Sequence, residues 1–157
     1  MVNSKLKTTI KEESGIKHLA LDGVIDEDSE LPDPGMLIGN QVVINFDRVI
    51  GINSLGVRKW FGFVKSLMTG NTEVVYEACH SSIVLNLCMS PALKASVIKI
   101  KSLYVDLVCP ECDNEKSEIF KLDDVIKDDF PKYACDKCQN NMQVEDEMDM
   151  IIQYVRT

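Results

Sequence analysis

Two pairs of cysteines stand at the spacing that metal-binding knuckles use. Cys109-Pro110-Glu111-Cys112 and Cys135-Asp136-Lys137-Cys138 each leave two residues between their thiols, and 22 residues separate the pairs. A two-residue gap lets both thiolates of a pair face one ion, while backbone N–H groups of the tight turn donate to the sulfurs. Four thiolates make a tetrahedral set, which suits zinc because zinc has no geometric preference from d-electrons. The spacing therefore predicts a four-sulfur site with zinc as the expected ion.

Two alternatives use the same residue types. A redox-active CxxC pair normally stands alone at the start of a helix, so two matched pairs in one short segment argue against redox chemistry. Iron held by four thiolates has the same spacing and stays open. In either metal site all four positions are filled by protein, which leaves none for water or substrate. The expected role is structural, to fold a segment too small to build its own core.

The remaining reactive side chains do not form a pattern that predicts catalysis. Cys79 and Cys88 lack a metal-binding spacing and are expected to be buried as small hydrophobic residues. His18 and His80 are predicted to have structural or loop roles, and Asp26–Glu30 is a solvated charge run without the order of a calcium loop. No nucleophile–base set and no glycine-rich phosphate loop is present. Enzyme function therefore ranks last.

The elements that position the cysteines are predicted to form a small β subdomain over residues 95–157. A β-rich run, Ser96–Val108, leads directly into Cys109 and is expected to be one strand that bridges the two parts of the chain. Glu118–Lys121 predicts a strand between the knuckles. Glu147–Val155 is amphipathic and follows a run of acids, which predicts a terminal helix packed on the ribbon, with a strand as the alternative.

Residues 1–94 alternate strand and helix patterns, which predicts an α/β layer with helices packed on a sheet. Thr72–Cys79 is a further predicted strand, and a short helix after it is expected to end at Pro91. No internal repeat is visible. The earlier elements are, in order, a hairpin of Lys5–Lys11 and Ile16–Ile25, an acidic loop Asp26–Gly35, and a strand Val42–Phe46 followed by a turn.

A central helix follows that turn. Its core face is predicted from apolar residues at spacings of three and four, with Phe63 at the edge of this face. Asn53 or Ser54 can cap its N-terminus, and Gly70 stops it. The predicted core positions are Val57, Trp60, Phe61, Val64, Leu67 and Met68.

Bulk composition limits the function classes. The chain has 157 residues, a formal net charge of -8 and 45% hydrophobic residues, as expected for a globular protein of one domain with a small appendage. An acidic chain without a basic block makes nucleic-acid binding unlikely by charge. No apolar run approaches the length of a membrane-spanning helix, and the N-terminal residues lack the apolar core of a signal peptide. A cytoplasmic protein without membrane insertion is expected.

Three stretches resemble the signatures of STAS domains, the sulfate-transporter and anti-sigma-factor-antagonist family. They are Leu21-Asp22-Gly23-Val24-Ile25-Asp26, the strand Val42–Phe46, and the loop Ile52-Asn53-Ser54-Leu55-Gly56-Val57, which occur in the family's order. The resemblance covers residues 5–94 and implies a mixed sheet of four or five strands packed with helices. The four-cysteine extension looks like that of bacterial STAS-related proteins.

The resemblance implies a non-enzymatic regulatory module that docks onto an anti-sigma or kinase-type regulator. In the family a serine of a D-S-S-G loop is phosphorylated, and here Ser54 matches the first serine while Leu55 takes the usual phosphoacceptor position. The docking face is predicted at Asn53–Lys59, with Asn53, Ser54, Leu55, Arg58 and Lys59 as contacts and Ser54 as the phosphorylation candidate. The alternative is an accessory subunit that binds the ATPase of an ABC-type lipid or solute transporter through the same face.

Overall fold

The computed structural model describes residues 5–88 and 98–156, without the side chains of residues 147 and 155. It contains eight strands in this described part, and the longest helix is α1. The elements are β1 (Lys7–Glu13), β2 (Ile16–Ile25), a 3-10 turn (Pro34–Met36), β3 (Gln41–Ile52), α1 (Ser54–Thr69), β4 (Glu73–Glu77), α2 (Ser81–Ile83) continued by a π-helical turn (Val84–Cys88), β5 (Ile98–Ile100), β6 (Ser102–Val108), β7 (Glu115–Lys121), α3 (Leu122–Val125), β8 (Gln143–Val144) and α4 (Asp146–Arg156).

Five strands form the larger sheet in the order β1-β2-β3-β4-β5. β1 and β2 pair antiparallel, and the other neighbours pair parallel. The hairpin turn is Ser14-Gly15, with φ of 52° and 78°. Two central residues at positive φ match the right-handed twist of the strands, which is why this turn joins them. The predicted hairpin and the mixed α/β architecture are confirmed.

The core lies between this sheet and α1. From α1, Trp60, Phe63, Val64 and Leu67 are buried. The Trp60 ring meets the Phe46 ring at 5.5 Å between centroids, and its Nε1 donates a hydrogen bond of 2.8 Å to the Tyr76 hydroxyl. This bond satisfies two polar groups that the core would otherwise leave unpaired.

The smaller sheet has the order β7-β6-β8 and is fastened to the larger one. The Cys79 carbonyl, just after β4, accepts from the Tyr104 N–H at 2.9 Å, and the Cys79 N–H donates to the Ser102 carbonyl at 3.2 Å. The Lys101 N–H also donates to the Tyr76 carbonyl at 2.8 Å. Buried residues of both sheets belong to one apolar cluster, including Val74, Leu103, Cys109 and Ile151.

Several expectations from the sequence are wrong in detail. The run Ser96–Val108 is not one strand: within the described residues it splits at Lys101 into β5 and β6, which belong to different sheets. No turn follows Phe46, because β3 continues beside β2 to Ile52 with two register shifts. Phe63 is a core residue.

Local sequence patterns cannot predict where these strands end or which of these side chains are buried, since both depend on the element that packs against them. Val57, Phe61 and Met68 are only partly buried on α1. The predicted ribbon strand is confirmed as part of β7, and the terminal helix is confirmed as α4. The helix stop at Pro91 and the boundary near Lys94 lie outside the described residues.

Candidate functional site

The four cysteines of the two CxxC pairs converge at one point. The sulfurs of Cys109, Cys112, Cys135 and Cys138 all lie within 4.8 Å of one another. The closest pairs join the two knuckles, with Cys109 and Cys138 at 3.4 Å and Cys112 and Cys135 at 3.6 Å between sulfurs. Four soft thiol donors at such separations fit a single tetrahedral metal ion. These four cysteines could therefore hold a metal ion.

The two knuckles share one backbone conformation. In each, the first cysteine donates a backbone hydrogen bond of 2.8 Å to an asparagine carbonyl five residues on, Asn114 in one and Asn140 in the other. Each also turns through a residue at positive φ, Asp113 at 56° and Gln139 at 66°. The two knuckles therefore share the longer pattern C-x-x-C-x-N, in which matching asparagines extend the cysteine spacing recognised from the sequence.

Hydrogen-bond donors surround the sulfurs. The backbone N–H groups of Cys138 and Lys137 point at the Cys135 sulfur, and the first of these does most to lower the pKa of that thiol, to about 6. The backbone N–H of Asn140 likewise lowers the pKa of Cys138. Since a metal binds the thiolate, such donors prepare the sulfurs for ligation.

Cys112 behaves differently from these two thiols. The backbone N–H of Asn114 lowers its pKa, but lost hydration and hydrogen bonds with the other thiols outweigh this and raise the pKa to about 12. Cys112 is also exposed, and Cys138 is half-buried, whereas Cys109 and Cys135 are buried. The centre therefore has an inner side rooted in the core and an outer side near the surface.

A polar and aromatic cluster holds the second knuckle against β7. The Lys116 ammonium lies 2.6 Å from both the Tyr133 hydroxyl and an Asp136 carboxylate oxygen, and 2.9 Å from Glu118. The bond to Asp136 contributes most to raising the pKa of Lys116. The Tyr133 ring meets Phe120 edge-on at 6.4 Å. Sequence reasoning did not find this cluster, because Tyr133 and Asp136 are 15 to 20 residues from the β7 side chains that they contact.

The loop before α1 is held rigidly. The Asn53 carboxamide oxygen accepts from the Gly56 N–H at 2.8 Å, so Asn53 caps the helix. Of the two caps that the sequence allows, Asn53 is the one used, because Ser54 is already the first helical residue. The Asn53 amide donates to the Glu27 carboxylate at 2.7 Å, and that bond does most to lower the pKa of Glu27.

Gly56 brings the start of α1 against the end of β2. A Cβ at this position would lie 2.2 Å from the Ile25 carbonyl oxygen. Lys59 fastens the same junction, since its ammonium donates to the Glu27 carbonyl at 2.9 Å. The close approach explains the glycine, because any side chain would force the two elements apart.

The predicted contact residues lie on this fixed junction. Asn53, Ser54, Leu55, Arg58 and Lys59 are all exposed. Leu55 has 51% of its surface exposed, and Ile50, three residues before the cap, has 71%. Among the described residues the Ser54 side chain makes no hydrogen bond. Ile50 was missed by sequence reasoning, which placed it in a turn after Phe46, whereas it lies in β3.

The histidines and the other cysteines have structural surroundings. His80 stacks on Tyr104 with ring centroids 4.4 Å apart and lies 2.9 Å from the Asp47 carbonyl oxygen. The Tyr104 hydroxyl donates to the Asp47 carboxylate, which raises the pKa of Tyr104. Burial raises the pKa of Cys79 and raises that of Cys88 to about 12, so both thiols stay protonated. His18 faces Lys11 across the hairpin.

Comparisons with known proteins do not extend this description. No protein-family model matches the chain, and a search of curated proteins also finds no match. Within residues 5–88 and 98–156, each helix is too short or too polar to cross a lipid bilayer.

Proposed function

We propose that this protein is a non-enzymatic regulatory module of the STAS type that docks onto a protein partner in the bacterial cytoplasm. The observation that carries the proposal is the junction of β2 and α1. Its first helical residues combine an exposed hydroxyl, an exposed leucine and two exposed basic side chains. A rigid, exposed apolar contact with a charged surround is what a partner surface requires.

The strand order supports the resemblance on which this proposal partly rests. A hairpin is followed by parallel strands, with α1 as the crossover between β3 and β4. The three stretches that resemble the family lie at the end of β2, in β3 and at the start of α1. The first and third stretches meet at Gly56, beside the Ile25 carbonyl, whereas Val42–Phe46 lies at the start of β3 and pairs with the first half of β2.

We further propose that the four-cysteine centre holds zinc in a structural role. Four thiolates favour zinc or iron over harder ions. The donors form a closed set with Cys109 and Cys135 buried, which fits a structural role, and a closed tetrahedral set of cysteines is the usual arrangement of structural zinc. A bound ion would replace a core that this segment is too small to build.

The test of docking compares two exposed apolar residues on helices. Tagged wild-type protein and the variants Leu55→Glu and Met150→Glu are used to capture partners from native cells, followed by mass spectrometry. Met150 is 55% exposed and matches Leu55 in exposure, but it lies on α4. We expect Leu55→Glu to weaken the captured complex about 30-fold, whereas Met150→Glu retains it.

Ser54 is tested in the same experiment. Ser54→Ala is expected to bind as wild type, while Ser54→Asp weakens binding if a phosphate at this position blocks the partner. A partner that binds Leu55→Glu and wild type equally would overturn the docking face. Capture of a transporter ATPase through Leu55 would instead select the accessory-subunit alternative.

A further inference from the structure

Strand β1 presents an open edge. It is an outer strand of the larger sheet, and β2 pairs with it along all of Lys7–Glu13 without a register shift. Within the described ranges, no backbone group of β1 has a backbone partner other than β2. An uninterrupted strand of this length without proline is a ready template for another strand.

The charges on β1 are arranged so that the strand complements itself. In an antiparallel pair, opposite residues must point to the same face, so register changes in steps of two. Pairing about Ile10 places Lys7 opposite Glu13 twice, and Ile10 opposite itself. A shift of one step in one direction places Lys7 opposite Lys11, and a shift in the other direction places the two copies of Lys11 opposite each other. Like charges directly opposite each other are destabilising.

The end charges are free to make such pairs. Lys7 and Glu13 are exposed, and neither makes an ion pair in the described part of the chain. By contrast, Lys5 is already paired with Glu30 at 2.9 Å, and Lys99 with Glu73 at 2.7 Å.

From these observations we propose that a second copy of this chain adds to β1. The two β1 strands pair antiparallel about a two-fold axis at Ile10, which gives one continuous sheet across both copies. Such an interface is self-complementary, as two-fold symmetry requires, and backbone hydrogen bonds supply its affinity while the end charges set its register. This surface is separate from the proposed docking face, so its test does not depend on that proposal.

The first measurement is the mass of the metal-loaded wild-type protein by analytical ultracentrifugation over a concentration series. A monomer–dimer equilibrium is expected. A wild-type protein that sediments as a monomer at every concentration would overturn the proposal. This holds even if the monomer binds an extended peptide of another protein along β1, because the proposed partner is a second copy of this chain.

The second measurement tests the register by charge exchange. Lys7→Glu and Glu13→Lys each place like charges opposite in a homodimer, and we expect each alone to weaken dimerisation about tenfold. In a 1:1 mixture, Lys7→Glu of one copy faces Glu13→Lys of the other at one end, and native Glu13 faces native Lys7 at the other end. Opposite charges then meet at both ends, so a mixed dimer should recover wild-type affinity. Native mass spectrometry distinguishes this mixed dimer from either homodimer.

The control replaces Lys7→Glu with Lys65→Glu, a charge reversal on the exposed side of α1. Lys65→Glu alone should dimerise as wild type, and its mixed dimer with Glu13→Lys should stay weakened, because Lys7 of the control copy still faces the like charge of Glu13→Lys at one end. Lys7 also faces Asp22 on β2, so Lys7→Glu could weaken the fold itself. The mixture corrects for this, because the same chain is measured alone and with its complement. Dimers equally stable in all variants would place the interface elsewhere and overturn the proposal.

Discussion

At the scale of single residues, the junction of β2 and α1 depends on two side-chain choices. Asn53 supplies both a cap for the helix and a donor to Glu27, so it links α1 to the loop after β2. Gly56 lets the helix backbone approach the Ile25 carbonyl. The neighbouring Ser54 and Leu55 are free to face solvent because other residues hold the loop.

The close approach at Gly56 predicts a large loss of stability on substitution. Gly56→Ala should lower the free energy of unfolding by about 3 kcal/mol, since its Cβ would collide with backbone atoms that cannot move independently. Gly62 is the matched control: it lies on the same helix with open space around it. Gly62→Ala should stabilise by up to about 1 kcal/mol through helix propensity. Urea denaturation at equilibrium measures both, and equal effects of the two variants would contradict the packing described.

At the scale of elements, the knuckles are two copies of one turn held at different places. The first closes the hairpin between β6 and β7, so its cysteines are positioned by a regular ladder. Among the described residues the second is closed by one isolated bridge, Ala134 to Asn141, and is held beside β7 by Lys116 and Tyr133. We expect the place of the second knuckle to depend more on a bound ion, because this knuckle is not part of a regular strand ladder such as that of β6 and β7.

Replacing a buried cysteine of the proposed metal centre should therefore lower the metal content of the protein. Cys109→Ala and Cys88→Ala remove the same atoms from buried positions, but only Cys109 faces the four-sulfur centre. We expect about one metal ion per chain in wild type and Cys88→Ala, and a strongly reduced content in Cys109→Ala, by plasma mass spectrometry after purification without chelator.

A bound ion would also contribute folding free energy, so Cys109→Ala should unfold at a lower temperature than Cys88→Ala. Equal metal content and equal midpoints in the two variants would contradict a metal centre at these cysteines. Identification of the ion as iron would keep the site and correct only the preference for zinc.

At the scale of the whole molecule, the two sheets share one core. Cys79 bridges to Leu103, and Tyr104 reaches back to Asp47 in β3. The Tyr154 hydroxyl on α4 donates to the Cys88 carbonyl at 2.6 Å. Since these contacts join the C-terminal segment to the α/β layer at several points, neither part can expose its buried face without disturbing the other.

This sharing predicts one cooperative unfolding transition. The protein has a single tryptophan, Trp60, which reports on the core under α1. Its fluorescence and the release of metal, followed with a metal-sensitive dye, should change at the same urea concentration. Release of the metal well before the change in Trp60 fluorescence would indicate that the ribbon unfolds independently.

The sequence alone determined those features that depend on local spacing. The CxxC pairs predict the four ligands because two intervening residues set the geometry of each turn. The bounds of β2 and the position of α1 follow from side-chain periodicity. The stop at Gly70 is likewise local. Each of these is decided within a few residues, so no knowledge of distant contacts is needed.

Tertiary structure decided the features that depend on what lies opposite. The break between β5 and β6 falls at Lys101. There the chain passes from a backbone bond with Tyr76, made by Lys101, to backbone bonds with Cys79, made by Ser102 and Tyr104. Ser54 is not the cap because Asn53 is fixed by Glu27, 26 residues away. Gly56 is required only because β2 ends beneath it. Packing between distant segments selects one option among several that local patterns allow. For this reason the sequence could predict a contact face at the start of α1, but not the contacts that fix this face against β2.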